Sequence, residues 1–149
     1  CASDRHDRFL TSSLRAQGRR ALSETDRMTS LAPTGLLRIG ASDLEYRMVG
    51  PAPDQAPVIV MLHEGLGSAR LWGDFPDKLQ AATNACVFAY SRAGYGASSP
   101  VKLPRPIDYM HIEALDVLPK LLDTIGFNRG MLLGHSDGAA IAASEAGAQ

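Results

Sequence analysis

Between an apolar run and an alanine-rich run, the chain reads Gly134-His135-Ser136-Asp137-Gly138. The preceding Met131-Leu132-Leu133 is typical of a short buried strand, and residues 139–143 are good helix formers. The pattern predicts a strand, a tight turn and a helix, with a serine at the apex. Neighbours without side chains are needed there, because strand and helix must approach closely. A helix that begins at such a turn also leaves free backbone N–H groups, which can stabilise a developing negative charge beside the serine.

The residues upstream alternate between strand and helix patterns. Two continuously apolar runs are typical of parallel strands that are buried on both faces: residues 58–62 and 86–90. Two runs that alternate apolar and polar residues predict an antiparallel hairpin: residues 36–39 and 44–49. Together with the helical patterns, these runs predict an α/β fold in which an N-terminal hairpin precedes parallel strands flanked by helices.

Two helices are predicted between the strands. Residues 71–82 form the first, with Pro76 tolerated near its first turn. Residues 108–125 form the second and carry apolar side chains at three- to four-residue spacing. Pro119 lies inside this second pattern and should kink or split the helix, because it removes one backbone hydrogen bond.

Three motifs, in this order, resemble those of the α/β-hydrolase fold family. They are His63-Glu64-Gly65-Leu66-Gly67-Ser68, Ser91-Arg92-Ala93-Gly94-Tyr95-Gly96-Ala97-Ser98, and the G-x-S-x-G nucleophile elbow around Ser136. The resemblance runs from about residue 36 to the C-terminus and implies a partial α/β-hydrolase fold whose later strands are missing. Residues 28–149 are interpreted as the N-terminal part of such a domain. Residues 1–27, with six arginines against four acids, are expected to be a disordered or non-native extension.

The resemblance implies that Ser136 is the nucleophile and that the backbone N–H groups of Gly65 and Asp137 form the oxyanion hole. The amides of Glu64 and Leu66 remain alternatives to Gly65. Glu64 replaces the glycine that is usual in the family, which leaves the backbone angles of this loop open. We interpret the side chain of Asp137 as a helix cap, since a negative charge is stabilised at a helix N-terminus.

A serine hydroxyl needs a base that takes its proton, and in this family the acid and the histidine follow the serine. The 13 residues after Ser136 contain Glu145 but no histidine, so the base and the acid are expected to be missing. His135 is expected to pack away from the serine hydroxyl, whereas His63 ends a strand close to the site and is a weak candidate for the base. His111 and His6 are not good replacements. A histidine supplied by a second copy of the chain is a more remote alternative.

The spacing excludes two other kinds of site. A zinc site of the H-E-x-x-H type fails, because its second histidine would stand at Gly67. A dinucleotide-binding loop fails at Ser99, where its third glycine would stand. The turn around Tyr95 is therefore interpreted as structural, with Tyr95 near the pocket, and Trp72 either packs in the core or lines an acyl pocket.

The composition indicates which partners the protein is not suited to bind and in which cellular compartment we expect it. A net charge of −1 favours neither nucleic acid nor an anionic membrane surface, and no apolar run approaches the about 20 residues of a membrane span. Two cysteines, Cys1 and Cys86, do not make a disulfide framework, and Cys86 is expected to be a buried free thiol. These features favour a cytoplasmic protein.

We therefore predict a serine hydrolase that acts on a small ester or a related carbonyl substrate through an acyl-enzyme, without a cofactor. The serine disfavours the epoxide hydrolase and dehalogenase branches, which the chain resembles but which use an aspartate at this position. The 149 residues alone are expected to be inactive and to self-associate through the exposed strand 131–133. The alternative is a non-catalytic ligand-binding or interaction domain on the same scaffold.

Overall fold

The computed structural model describes residues 31–148, so the expectation for residues 1–27 lies outside the described residues. These residues form a five-stranded sheet in the order β1-β2-β4-β3-β5. The strands are β1 (Thr34–Ile39), β2 (Ser42–Val49), β3 (Val58–Leu62), β4 (Cys86–Tyr90) and β5 (Gly130–Gly134). The predicted partial α/β-hydrolase fold is confirmed, with each strand within a few residues of its predicted bounds.

The sheet is parallel at its centre and antiparallel at one side. β3 pairs in parallel with both β4 and β5, whereas β2 pairs antiparallel with β1 and β4. Every residue of β3 and β4 is buried, as their continuously apolar sequences predict. Leu62 pairs with Tyr90 and with Gly134, so the three parallel strands end level with one another. The turns that follow them therefore meet at one edge of the sheet.

The helices cover both faces of the sheet. A 3-10 turn (Ala69–Trp72) and α1 (Phe75–Thr83) follow β3. A helical segment before β5 consists of α2 (Tyr109–Ile112), a π-helical turn (Glu113–Val117) and α3 (Leu118–Ile125). The last helix, α4 (Asp137–Ala146), follows β5 directly.

Both helix predictions hold in position and need correction in detail. The pattern at residues 71–82 is divided, because the chain turns at Gly73 and α1 then begins with Pro76 in its first turn. The pattern at residues 108–125 is split as expected, and the irregular part is a π-helical turn immediately before Pro119. A wider turn there removes the clash between the proline ring and the carbonyl four residues earlier.

Two apolar clusters hold these layers together. Alternate residues of the parallel strands point to the face that α3 and α4 cover, where Phe88, Leu118 and Ile141 are fully buried. The other residues point to the face covered by the 3-10 turn and α1. Cys86 is the predicted buried free thiol, and burial raises its pKa to about 11.

Candidate active site

Ser136 stands at a strained bend between β5 and α4. Its φ of 52° and ψ of −117° lie outside the regions that residues with a side chain normally adopt. Such a conformation costs on the order of 1–3 kcal/mol and is found mostly at functional positions. Ser136 is exposed, and its hydroxyl has no hydrogen-bond partner within residues 31–148. The predicted strand, turn and helix are confirmed, with the serine at their apex.

The two glycines of the motif are required by close packing. A Cβ on Gly134 would overlap the backbone of Gly138 and Ala139, and one on Gly138 would overlap the Leu62 carbonyl oxygen. The His135 amide also donates a hydrogen bond to the Leu62 carbonyl, at 3.0 Å. The glycines therefore let α4 begin directly against the end of β3, which is the role that their spacing predicts.

The loop after β3 reaches the elbow at Gly65. A Cβ on this glycine would come within 2.8 Å of the Asp137 carboxylate, so a larger residue would separate the two loops. The amides of Gly65 and Asp137 donate to no acceptor among the described residues. Two N–H groups without an acceptor thus lie on two loops that meet at the Asp137 carboxylate, one residue after Ser136.

Glu64 fits into this loop without left-handed backbone angles. Its side chain lies over Gly67, where a Cβ would come within 2.5 Å of a carboxylate oxygen. The amide of Glu64 hydrogen-bonds its own carboxylate, which is the main cause of the lowered pKa of this group. The Glu64 amide is therefore engaged, whereas the Gly65 amide has no acceptor among the described residues.

His63 is not available as a base. The ring is fully buried, its Nε2 accepts a hydrogen bond from the Arg92 amide at 3.0 Å, and its Nδ1 lies 2.6 Å from the Glu64 carbonyl oxygen. Since Nε2 accepts, Nδ1 must carry the proton and donate it. Burial, with a smaller contribution from the Arg92 charge, lowers the pKa of His63 to about 4. His63 is therefore a neutral structural group with both nitrogens engaged.

Two expectations about neighbouring side chains were wrong. The His135 side chain is 66% exposed instead of packed, and its Nδ1 lies 3.5 Å from a Glu64 carboxylate oxygen. The Asp137 carboxylate lies in the first turn of α4, but the hydrogen bond that it accepts comes from the Tyr109 hydroxyl, at 2.6 Å, and not from a helix amide. That hydrogen bond is also the main reason why the pKa of Tyr109 is raised. Local sequence gives no sign of either arrangement. Tyr109 lies 28 positions from Asp137, and the exposure of His135 depends on the tertiary structure.

The turn after β4 holds the loop after β3 in place, in agreement with the structural role predicted for this turn. The Ser91 hydroxyl donates to the Glu45 carboxylate and accepts from the Ala69 amide, both at 2.8 Å. The Tyr95 ring packs edge-on against His63, with 5.1 Å between the ring centroids. Sequence reasoning missed the buried Glu45, whose position in an alternating strand gave no sign of these contacts.

Apolar side chains border the elbow. Trp72 packs partly in the second apolar cluster and stacks on Phe75, in agreement with a core role. Its indole edge also faces His135, with 6.4 Å between centroids. Leu66, on the same loop as Gly65, is 88% exposed. The surroundings of Ser136 thus combine apolar groups with the carboxylates of Glu64 and Asp137.

Residues 31–148 hold no candidate metal site and no candidate membrane-spanning helix. No cluster of three or more histidine, cysteine, aspartate or glutamate side chains is arranged to hold a metal ion there. None of the described helices is long and apolar enough to cross a membrane.

Comparison with known sequences gives one family match. The sequence profile of the Alpha/beta hydrolase family matches residues 59–148, which include both the loop after β3 and the elbow. No curated protein sequence matches the chain significantly.

Solved structures match the described fold. Hypothetical protein PA1622 from Pseudomonas aeruginosa PAO1 is 29% identical, with 80% of this chain and 39% of that chain covered and a TM-score of 0.65. MGS-M2, an alpha/beta hydrolase enzyme from a Medee basin deep-sea metagenome library, is 24% identical over 75% of this chain and 38% of that one (TM-score 0.64). Epoxide Hydrolase A from Mycobacterium thermoresistibile is 23% identical, with 76% of this chain and 34% of that chain covered and a TM-score of 0.62. The chain thus spans less than two-fifths of the length of these proteins, and their likeness establishes the fold.

Proposed function

Because the chain belongs to the Alpha/beta hydrolase family, we propose that it carries the nucleophile and the oxyanion hole of a serine hydrolase. Ser136 is the nucleophile, and the amides of Gly65 and Asp137 are the oxyanion donors. One observation carries this proposal: an exposed serine in a strained conformation directly precedes a backbone N–H group without an acceptor among residues 31–148, and a second such group lies on the loop that reaches Asp137.

In the proposed reaction, the Ser136 hydroxyl oxygen attacks the carbonyl carbon of an ester, and the π electrons of the carbonyl move to its oxygen. The hydroxyl proton passes to a base, while the amides of Gly65 and Asp137 donate hydrogen bonds to the oxyanion. Collapse of this intermediate breaks the ester C–O bond, and the departing alcohol takes up the proton. Water then releases the acyl group from Ser136 by the same sequence of steps.

The surroundings of Ser136 favour a small, neutral and rather apolar substrate. Leu66 offers an exposed apolar side chain on the oxyanion loop. The carboxylates of Glu64 and Asp137 would repel an anionic acyl group. The nearest buried cation, Arg92, is occupied by backbone carbonyls and cannot balance such a charge.

We expect the base to come from outside the described residues, since His63 is engaged on both nitrogens and the His135 ring lies beside Glu64 and Trp72. Removing the base from a serine triad costs roughly 10⁶ in turnover. We therefore expect negligible turnover of p-nitrophenyl acetate or butyrate by the 149-residue chain, indistinguishable from that of Ser136→Ala. Turnover at ordinary enzyme rates that disappears in Ser136→Ala would contradict the absence of a base.

A second experiment supplies the missing base from solution. The chain is treated with a fluorophosphonate, with and without added imidazole, and the modified serine is located by mass spectrometry. We expect imidazole-dependent labelling at Ser136, with Ser144 as an internal reference because its hydroxyl donates to the Ala140 carbonyl in the same helix. Labelling of Ser136 no faster than that of Ser144 would refute an activated serine. It would favour the non-catalytic ligand-binding or interaction domain.

A further inference from the structure

Arg92 is a buried cation directly after β4, only 1% exposed. Its guanidinium donates from Nη1 to the His63 carbonyl at 2.6 Å and from Nη2 to the Glu64 carbonyl at 2.8 Å. It makes no ion pair within residues 31–148, and its Nε has no hydrogen-bond partner there. Burying a charge without a counter-ion is costly, so packing alone does not account for an arginine at this position.

The contacts of Arg92 determine which way the Gly65 amide points. The Glu64 carbonyl and the Gly65 N–H belong to one planar trans peptide, in which they point in opposite directions. This carbonyl accepts hydrogen bonds from Arg92 at 2.8 Å and from His63 at 2.6 Å. A carbonyl held by two donors keeps the N–H on its other side in one orientation.

The sheet order places the elbow on the side to which that N–H points. β3 lies between β4 and β5, so the loop after β3 has Arg92 on one side and the elbow on the other. The Glu64 carbonyl faces Arg92, and the opposite side of the peptide therefore faces the elbow. The closeness of Gly65 to the Asp137 carboxylate agrees with this arrangement.

We propose that Arg92 is the positioning residue of the oxyanion hole, because its guanidinium holds the carbonyls of His63 and Glu64 and thereby turns the Gly65 N–H toward Ser136. This inference rests on the proposed function. It requires the planar, two-pronged guanidinium, since a lysine ammonium is a single point charge that does not match two carbonyls in the same way. Arg92 would not contact the substrate.

The first test measures how rigidly the loop holds the Gly65 amide, without any chemistry at Ser136. Backbone ¹⁵N relaxation is recorded for the 149-residue chain and for the variants Arg92→Lys and Arg92→Met. We expect a Gly65 order parameter of about 0.85 in the wild type and below about 0.6 in both variants, with the β3 amides unchanged. The matched control is Arg105→Lys, because Arg105 donates to the Ala93 carbonyl and not to the loop after β3. A flexible Gly65 amide in the wild type, or a rigid one in either folded Arg92 variant, would overturn the proposal.

The second test measures how the Arg92 substitutions change the labelling rate of Ser136. Imidazole-dependent fluorophosphonate labelling of Ser136 should slow by about tenfold to a hundredfold in the Arg92 variants and stay unchanged in Arg105→Lys, as expected when an oxyanion donor is misplaced. Equal labelling rates despite a loosened Gly65 amide would refute the catalytic part of the inference. If the wild-type serine is not labelled at all, the proposed function fails, while the relaxation experiment still decides whether Arg92 holds the Gly65 peptide rigidly.

Discussion

Ser136 has backbone angles that glycine adopts without strain and other residues adopt at a cost. The only other described residue with a side chain at positive φ is Asn84, which ends α1 in the ordinary left-handed conformation. A serine at position 136 therefore lowers the free energy of unfolding relative to glycine. The serine hydroxyl is the one functional group that this position gains in exchange.

Ser136→Gly should stabilise the chain by about 1 kcal/mol, because it relieves the backbone strain. Urea unfolding followed by circular dichroism measures the change. Ser136→Ala is the matched control: it removes the hydroxyl but keeps a Cβ, and its stability should stay near that of the wild type. A glycine variant that is no more stable than the alanine variant would contradict the strained bend.

His63 illustrates how far a residue can be assigned without its neighbours. Its place at the end of β3 follows from the sequence, but its protonation state depends on the Arg92 amide, which lies in a different turn. Only the contact between these two turns changes His63 from a candidate base into a neutral structural group.

At the scale of elements, the approach of α4 to β3 depends on one glycine. Gly138 lies in the first turn of α4, where alanine would ordinarily be favoured by about 1 kcal/mol. A methyl group at this position would instead meet the carbonyl oxygens of Leu62 and His63, which belong to the backbone and cannot move independently.

Gly138→Ala should therefore destabilise the chain by about 2 kcal/mol, in spite of the better helix propensity. The same urea titration measures this change in the free energy of unfolding. Gly147→Ala serves as the control at the other end of α4, since a Cβ there makes only ordinary contact, at 3.4 Å from the Ala143 carbonyl oxygen, and φ is −79°. That variant should differ from the wild type by less than about 0.5 kcal/mol. Similar losses in both variants would mean that α4 does not abut β3.

At the scale of the whole molecule, β5 is an edge strand of the described sheet. Its Met131 side chain is 55% exposed, and an apolar groove of about 480 Å³ runs beside it between β5, α3 and α4. An edge strand presents unpaired N–H and C=O groups that can pair with another strand. Two copies related by a two-fold axis would pair their β5 strands antiparallel and extend the sheet.

We expect the chain to self-associate through this edge, and Met131→Lys should shift sedimentation toward the monomer, because edge lysines disfavour strand pairing. The matched control is Leu36→Lys, since Leu36 is 57% exposed on β1 at the opposite edge of the sheet. A wild-type chain that sediments as a single monomer would refute the self-association. Equal effects of the two lysines would place the contact elsewhere.

The sequence by itself determined the order and type of the elements and the position of Ser136, because apolar periodicity and glycine spacing are local properties of the chain. It also made Gly65 a candidate oxyanion donor, since the resemblance to a family motif names that position. Only the tertiary structure decided that His63 is engaged, that Asp137 binds Tyr109 and that Arg92 holds the Gly65 peptide. These assignments join residues that are 28 or 29 positions apart. The contacts of Arg92 with the loop after β3 exist because level parallel strands bring their final turns together at one edge of the sheet, whereas the contact with Asp137 is made from the start of α2.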